Sequence, residues 1–283
     1  MDWLFEPFSS ALLQRALLVG IMAAITTSVV GTWVVLRGMA FLGDALAHGI
    51  LPGVAGALIL GFNPLVGGAI AAGVMIASIS WIHRSSKLSE DTAIGLLFVG
   101  MLAVGMILVS KSDTLAVNPI AILFGSILGV TPRDVVVQAI ALVVTLSLVV
   151  VFYRPLLVLA FNEEKAHVLG LSPRRTHFVM MALVTIAVVA TFDMVGSLLV
   201  FGLLIAPPAT AALIARRVPV MMMLSSAIAS LCVFAGLVIS YYAGTAGGAT
   251  IAALAVGVFF VTLAARNLQG LRPEVTISRS GVQ

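Results

Sequence analysis

Charged residues are scarce in this chain. Asp, Glu, Lys and Arg make up 9% of its 283 residues and 61% are hydrophobic, where an ordinary soluble domain carries about 25% charge. Mean hydropathy is +1.20. A soluble fold needs a solvated shell of charged side chains, so the shortage excludes most soluble enzyme classes and points to the bilayer as solvent. Cysteine is nearly absent as well. The single Cys232, inside the apolar stretch 221–242, supports neither a disulfide framework nor a thiolate metal cluster, and reads as a small packing residue. The three lysines, Lys87, Lys111 and Lys165, lie outside any glycine-rich phosphate loop of the form G-x-x-x-x-G-K-[ST], so the chain hydrolyses no ATP through a P-loop of its own. H-E-x-x-H and G-x-S-x-G patterns are also missing, and with them the signatures of an intramembrane zinc protease or a serine hydrolase. The net charge of +4 comes from basic residues scattered between apolar runs, a pattern of membrane orientation rather than of nucleic-acid binding.

What the chain has instead is apolar runs of spanning length. A membrane helix needs roughly 20 apolar residues, and candidates fall at 14–36, 40–61, 64–82, 92–110, 132–153, 175–192, 195–214, 219–242 and 248–265. The first two are separated only by Arg37-Gly38, and the sixth and seventh only by the neighbourhood of Asp193, so the expectation is an all-α polytopic membrane protein of eight or nine transmembrane helices. No linker or charged tract divides it, and residues 1–283 read as one domain. With the loop at 83–90 on the cytoplasmic side, twelve cations fall inside and three, Arg15, Lys111 and Arg133, fall outside. This positive-inside bias places the C-terminus in the cytoplasm and, for nine spans, the N-terminus outside. The aromatic N-terminal residues, without a basic leader or a cleavage site, read as an interfacial stretch.

In such a chain the informative residues are ionisable groups within apolar runs, each costing several kcal/mol unless paired or hydrated. Most acids fall in loops or at span ends. Asp44 and His48, in Gly43-Asp44-Ala45-Leu46-Ala47-His48-Gly49-Ile50-Leu51-Pro52-Gly53, do not. Positions i and i+4 share a helix face, so a carboxylate and an imidazole can approach one cation together, a donor set that suits Zn²⁺ or Mn²⁺ and not Cu(I). The alternative is a buried structural pair. Pro52 lacks the N–H that would bond the carbonyl of His48, which marks a helix break beside the pair.

Three further features stand out. Pro207-Pro208, following Gly196 and Gly202 in the seventh run, release the carbonyls of Leu203 and Leu204 and predict a kink or an unwound turn, for packing or for a path. Asp193, just before that run, is a candidate additional ligand or access-path carboxylate, or else a headgroup-level acid. The polar island Asn162-Glu163-Glu164-Lys165-Ala166-His167-Val168-Leu169-Gly170 reads as a short cytoplasmic helix over about 162–171. Asn162 is its cap, the two glutamates favour its N-terminal dipole, and Gly170 with Pro173 stops it. It is either a docking helix for a soluble partner or a solvated connector.

At these residues the sequence resembles the membrane permease subunits of the manganese, zinc and iron class of ABC importers. The match is carried by the run from Gly31-Thr32-Trp33 through Leu36-Arg37-Gly38-Met39 to Asp44, His48 and Leu51-Pro52-Gly53, by 161–170, and by 195–211. The resemblance implies a type II ABC importer-like fold with no enzyme activity of its own, set in the bacterial plasma membrane. It implies two permease copies, a cytoplasmic ATPase dimer that binds ATP, and an extracytoplasmic metal-binding protein that delivers Mn²⁺ or Zn²⁺ as cargo, with no permanent cofactor and no nucleic acid. Carried over position by position, Asp44 and His48 are the metal ligands, and Glu163, Glu164, Ala166, Leu169 and Gly170 belong to a coupling helix against the ATPase. Asp193 departs from the family pattern, which has an uncharged polar residue there. The alternative function is an ATP-independent secondary metal transporter whose Asp44 and His48 relay protons.

Overall fold

The computed structural model describes residues 6–39, 41–86, 88, 90–110, 129–161 and 172–268. After a short 3-10 turn, Glu6–Ser9, the helices are α1 (Ala11–Leu36), α2 (Phe41–Gly49), α3 (Leu51–Leu60), α4 (Pro64–Ser85), α5 (Glu90–Ser110) and α6 (Pro132–Val151). They continue as α7 (Tyr153–Phe161), α8 (Pro173–Val195), α9 (Ser197–Ile214), α10 (Val218–Ala243) and α11 (Gly247–Leu268). The described residues form no strand, so the expected all-α class holds. Among the described residues, eight stretches are long and apolar enough to cross a bilayer, with α2 and α3 together forming one of them, Phe41–Leu60; the apolar part of α9, Leu198–Ile214, is shorter.

Helix ends follow local chemistry. Ser10 caps α1, its Oγ accepting the Leu13 N–H at 3.3 Å; Asn63 caps α4, its Oδ1 accepting the Leu65 N–H at 2.9 Å. Asp134 sits in the first turn of α6 and takes the Thr131 N–H at 2.8 Å, which accounts for that acid as a cap. Gly38 (φ +69°) and Gly196 (φ +80°) take backbone conformations that L side chains rarely adopt, and they divide α1 from α2 and α8 from α9. The tandem prolines do not unwind α9, which is helical through both. Proline removes a hydrogen bond without forbidding helical dihedrals, and in a bundle the neighbours can accommodate the freed carbonyl.

The core is built around α1, the most enclosed of the spans. It packs against α6, α7, α8, α9 and α10. Thr26, Thr27 and Thr32 on α1 are fully buried, and each hydroxyl donates to a carbonyl four residues earlier, at 2.8, 2.8 and 2.9 Å, so burial leaves these groups satisfied. One apolar cluster joins α1 to α9, α10 and α11 through Val19, Leu203, Val233 and Ile251, with Cys232 among them. The other joins α1 to α2, α4, α5 and α8 through Trp33, Leu46, Met75, Ile94 and Val184. Glycine sets the closest approaches. A methyl on Gly53 of α3 would overlap the Gly67 backbone of α4 and the reverse, and a methyl on Gly31 of α1 would overlap the carbonyl oxygen of Leu204 in α9. Small residues at helix crossings are how apolar helices attract one another in lipid, where no hydrophobic effect draws them together.

Candidate functional site

Helix α2 has two faces. Leu42, Ala45, Leu46 and Gly49 follow the i, i+3, i+4, i+7 rhythm and are buried. Phe41, Asp44 and His48, at i, i+3 and i+7, lie on the other side: Phe41 is exposed, and the side chains of His48 and Asp44 keep 18% and 26% of their surface open. His48 Nε2 stands 3.5 Å from Asp44 Oδ1. The distance is longer than a good hydrogen bond, so neither group's lone pairs are committed to the other. Part of each side chain is open on this face of the single chain.

Packing sets the depth. Gly43 lies against the side chain of Leu204 in the middle of α9, and Gly49 against the sulfur of Met75 in the middle of α4. Leu204 is ten residues from the end of α9 at Ile214, about 15 Å at 1.5 Å per residue. Asp44 and His48 therefore lie beside the middle of α9 and α4, within the first eight residues of the stretch Phe41–Leu60. Phe98 of α5 presents to the imidazole at 5.8 Å between centroids and 68° between planes, and Phe41 in turn meets the Phe98 ring at 5.6 Å and 78°. Phe98 thus gives the imidazole an apolar wall, backed by Phe41.

Beyond His48 the helix is interrupted at Ile50, where α2 gives way to α3. The ladder persists on both sides, Ile50 N–H to Leu46 O at 3.1 Å and Val54 N–H to Ile50 O at 3.0 Å, but Pro52 has no N–H to offer the carbonyl of His48. Pro52 packs on α5, where a Cβ on Gly105 would stand 3.2–3.3 Å from its ring.

Asp193 lies in the last turn of α8, three residues before Gly196; its side chain is outside the described part of the structure. Glu163, Glu164, Ala166, Leu169 and Gly170 lie outside the described residues too, and α7 ends immediately before them. Among the described residues no group of three or more His, Cys, Asp or Glu side chains comes together, so Asp44 and His48 stand as a two-residue set. Sequence reasoning missed Phe41, although its spacing of three and seven from the pair was readable, and Phe98, for which nothing local signals the contact. It also passed over Gln138, Thr145, Thr191 and Ser28. These are fully buried with side-chain polar atoms that have no hydrogen-bond partner, on helices α6, α8 and α1, which pack together.

A multi-pass helical protein with an open carboxylate–imidazole pair beside the middle of two apolar helices has the form of a membrane transport subunit. Residues 9–266 match the family model described as the ABC 3 transport family, and the chain belongs to that family. It is 36% identical over 261 residues to the manganese transport system membrane protein MntC of Listeria innocua, covering 92% of each chain. It is 32% identical over 264 residues to a protein of Haemophilus influenzae named as a probable iron transport system membrane protein, covering 93% of this chain and 97% of that one. Among solved structures it resembles PsaBC from Streptococcus pneumoniae in complex with Fab, with a TM-score of 0.83 and 31% identity over 95% of this chain and 99% of that chain.

Proposed function

We propose that this chain is the permease of an ATP-driven importer that carries a divalent transition-metal ion, Mn²⁺ before Zn²⁺, across the bacterial plasma membrane past Asp44 and His48. The observation that carries the reading is the pair itself: one carboxylate and one imidazole, a helical turn apart, beside the middle of α9 and α4 and open on one face. An oxygen and a nitrogen donor suit Mn²⁺ or Zn²⁺, and the manganese names of relatives such as the Listeria innocua protein favour Mn²⁺. Two protein ligands with water hold the ion loosely, as a transit site must if it is to release its cargo; a closed cage of four would trap it. Two copies form the path. Residues 162–171 dock on a cytoplasmic ATPase dimer, which supplies the hydrolysis this chain has no P-loop to perform. A metal-binding protein delivers the ion from outside, and the C-terminus faces the cytoplasm; with α9 as the ninth crossing, the N-terminus is outside.

The test is ATP-driven accumulation of radioactive manganese in proteoliposomes holding the chain with the ATPase subunits that co-purify with it. Uptake depends on ATP, and Asp44→Asn and His48→Ala abolish it while the complex still assembles and inserts. Normal uptake in both variants sinks the site, and uptake by the parent without ATP sinks the importer reading in favour of a secondary transporter.

A further inference from the structure

Most hydrogen-bonding side chains described above bond back to their own helix, but Arg37 reaches across 122 positions. Its Nη1 donates to the carbonyl of Leu159 at 3.0 Å, in the last turn of α7, where backbone carbonyls have no partner within the helix and a cation meets the negative end of the helix dipole. One turn before Arg37, Trp33 sets its ring edge-on to Tyr153, the first residue of α7, at 5.8 Å and 65°. The last turn of α1 therefore grips α7 at both ends. Two residues beyond Arg37, the buried Met39 donates its N–H to Val34 O at 3.1 Å and its carbonyl accepts the Leu42 N–H at 3.0 Å. Two residues beyond Leu42 is Asp44. In the other direction, three residues beyond Leu159 the chain enters 162–171.

We propose that Arg37 is a positioning residue that transmits displacement of α7 to the Asp44–His48 pair, so that movement imposed at 162–171 reaches the ion. The inference rests on the permease reading above and adds to it the side chain through which the two ends of the machine are linked. A plain helix cap would stabilise α7 and do no more. A relay makes the yield of transport per ATP depend on the contact.

The experiment uses the assembled transporter in proteoliposomes, comparing the parent with Arg37→Gln and Arg37→Lys, and reads manganese uptake and ATP hydrolysis together. In R37Q hydrolysis continues within about twofold of the parent, while ions moved per ATP fall about tenfold, the factor expected for losing one charge-assisted hydrogen bond in the moving state. R37K restores most of the ratio, since an ammonium can still donate to one carbonyl. An unchanged ratio in R37Q reduces Arg37 to a cap and overturns the proposal. Hydrolysis and uptake that fall in step, with the ratio kept, overturn it as well, because the loss is then one of assembly. A parent that moves manganese without ATP overturns the permease reading beneath it, an outcome that involves no Arg37 variant.

Discussion

Replacing Gly31 by alanine tests the packing that holds the site at its depth. The carbonyl of Leu204 is released because Pro208 has no N–H to offer it, and it points at Gly31, where an added methyl would overlap the oxygen and approach the Pro208 ring. Both partners are backbone-anchored, so relief requires α1 and α9 to part. Overpacking of this kind costs about 1–3 kcal/mol, set against a gain of roughly 1 kcal/mol when alanine replaces glycine within a helix. Gly73 on α4 has no atom within 4 Å of its would-be Cβ, so Gly73→Ala isolates the gain. The two variants should differ by about 1–3 kcal/mol, several degrees of apparent melting temperature at about 2–4 °C per kcal/mol, read by thermal unfolding of the detergent-solubilised protein. Adding Pro208→Ala to Gly31→Ala restores an N–H that can draw the Leu204 carbonyl back along its own helix. The double variant is therefore less damaged than the sum of the singles. If Gly31→Ala melts with Gly73→Ala, the close crossing of α1 and α9 does not hold the protein together.

Two other substitutions probe features that only the folded chain reveals. Phe98→Ala removes the ring edge that bears on His48, a contact worth about 0.5–1.5 kcal/mol; manganese affinity measured on the purified transporter is expected to weaken by up to about tenfold, and unchanged affinity would free His48 from any dependence on α5. Gln138→Met replaces a fully buried amide whose oxygen and nitrogen both lack partners with an apolar chain of similar shape. Since an unsatisfied buried polar group costs about 1–3 kcal/mol, the variant should melt higher, and a lower melting temperature would show that the amide is bonded in the membrane.

The class of fold was readable from apolar run length, since spanning segments announce themselves by composition. The pair at Asp44 and His48 was readable for the converse reason: ionisable residues in an apolar run have few explanations. What could not be read depends on which helices meet. Phe98 is fifty residues from His48, and no local pattern brings them together. Pro207 and Pro208 signalled an unwound turn because a free carbonyl is costly in isolation, whereas α9 stays helical beside a glycine on α1 that makes room for that carbonyl. Arg37 read as a cytoplasmic cation by charge alone, and its bond to Leu159 depends on α7, a nine-residue helix too short to register as a span.

The central position of α1 also bears on how the protein is made. It is the first of these helices to be synthesised, yet α10, against which it packs, is completed only at Ala243, about 200 residues later, an interval of about 10–40 s at 5–20 residues per second. Until then the face of α1 that α10 will cover must reside in lipid. The threonine hydroxyls at 26, 27 and 32 are bonded within the helix itself, so these three groups carry their own solvation through the wait.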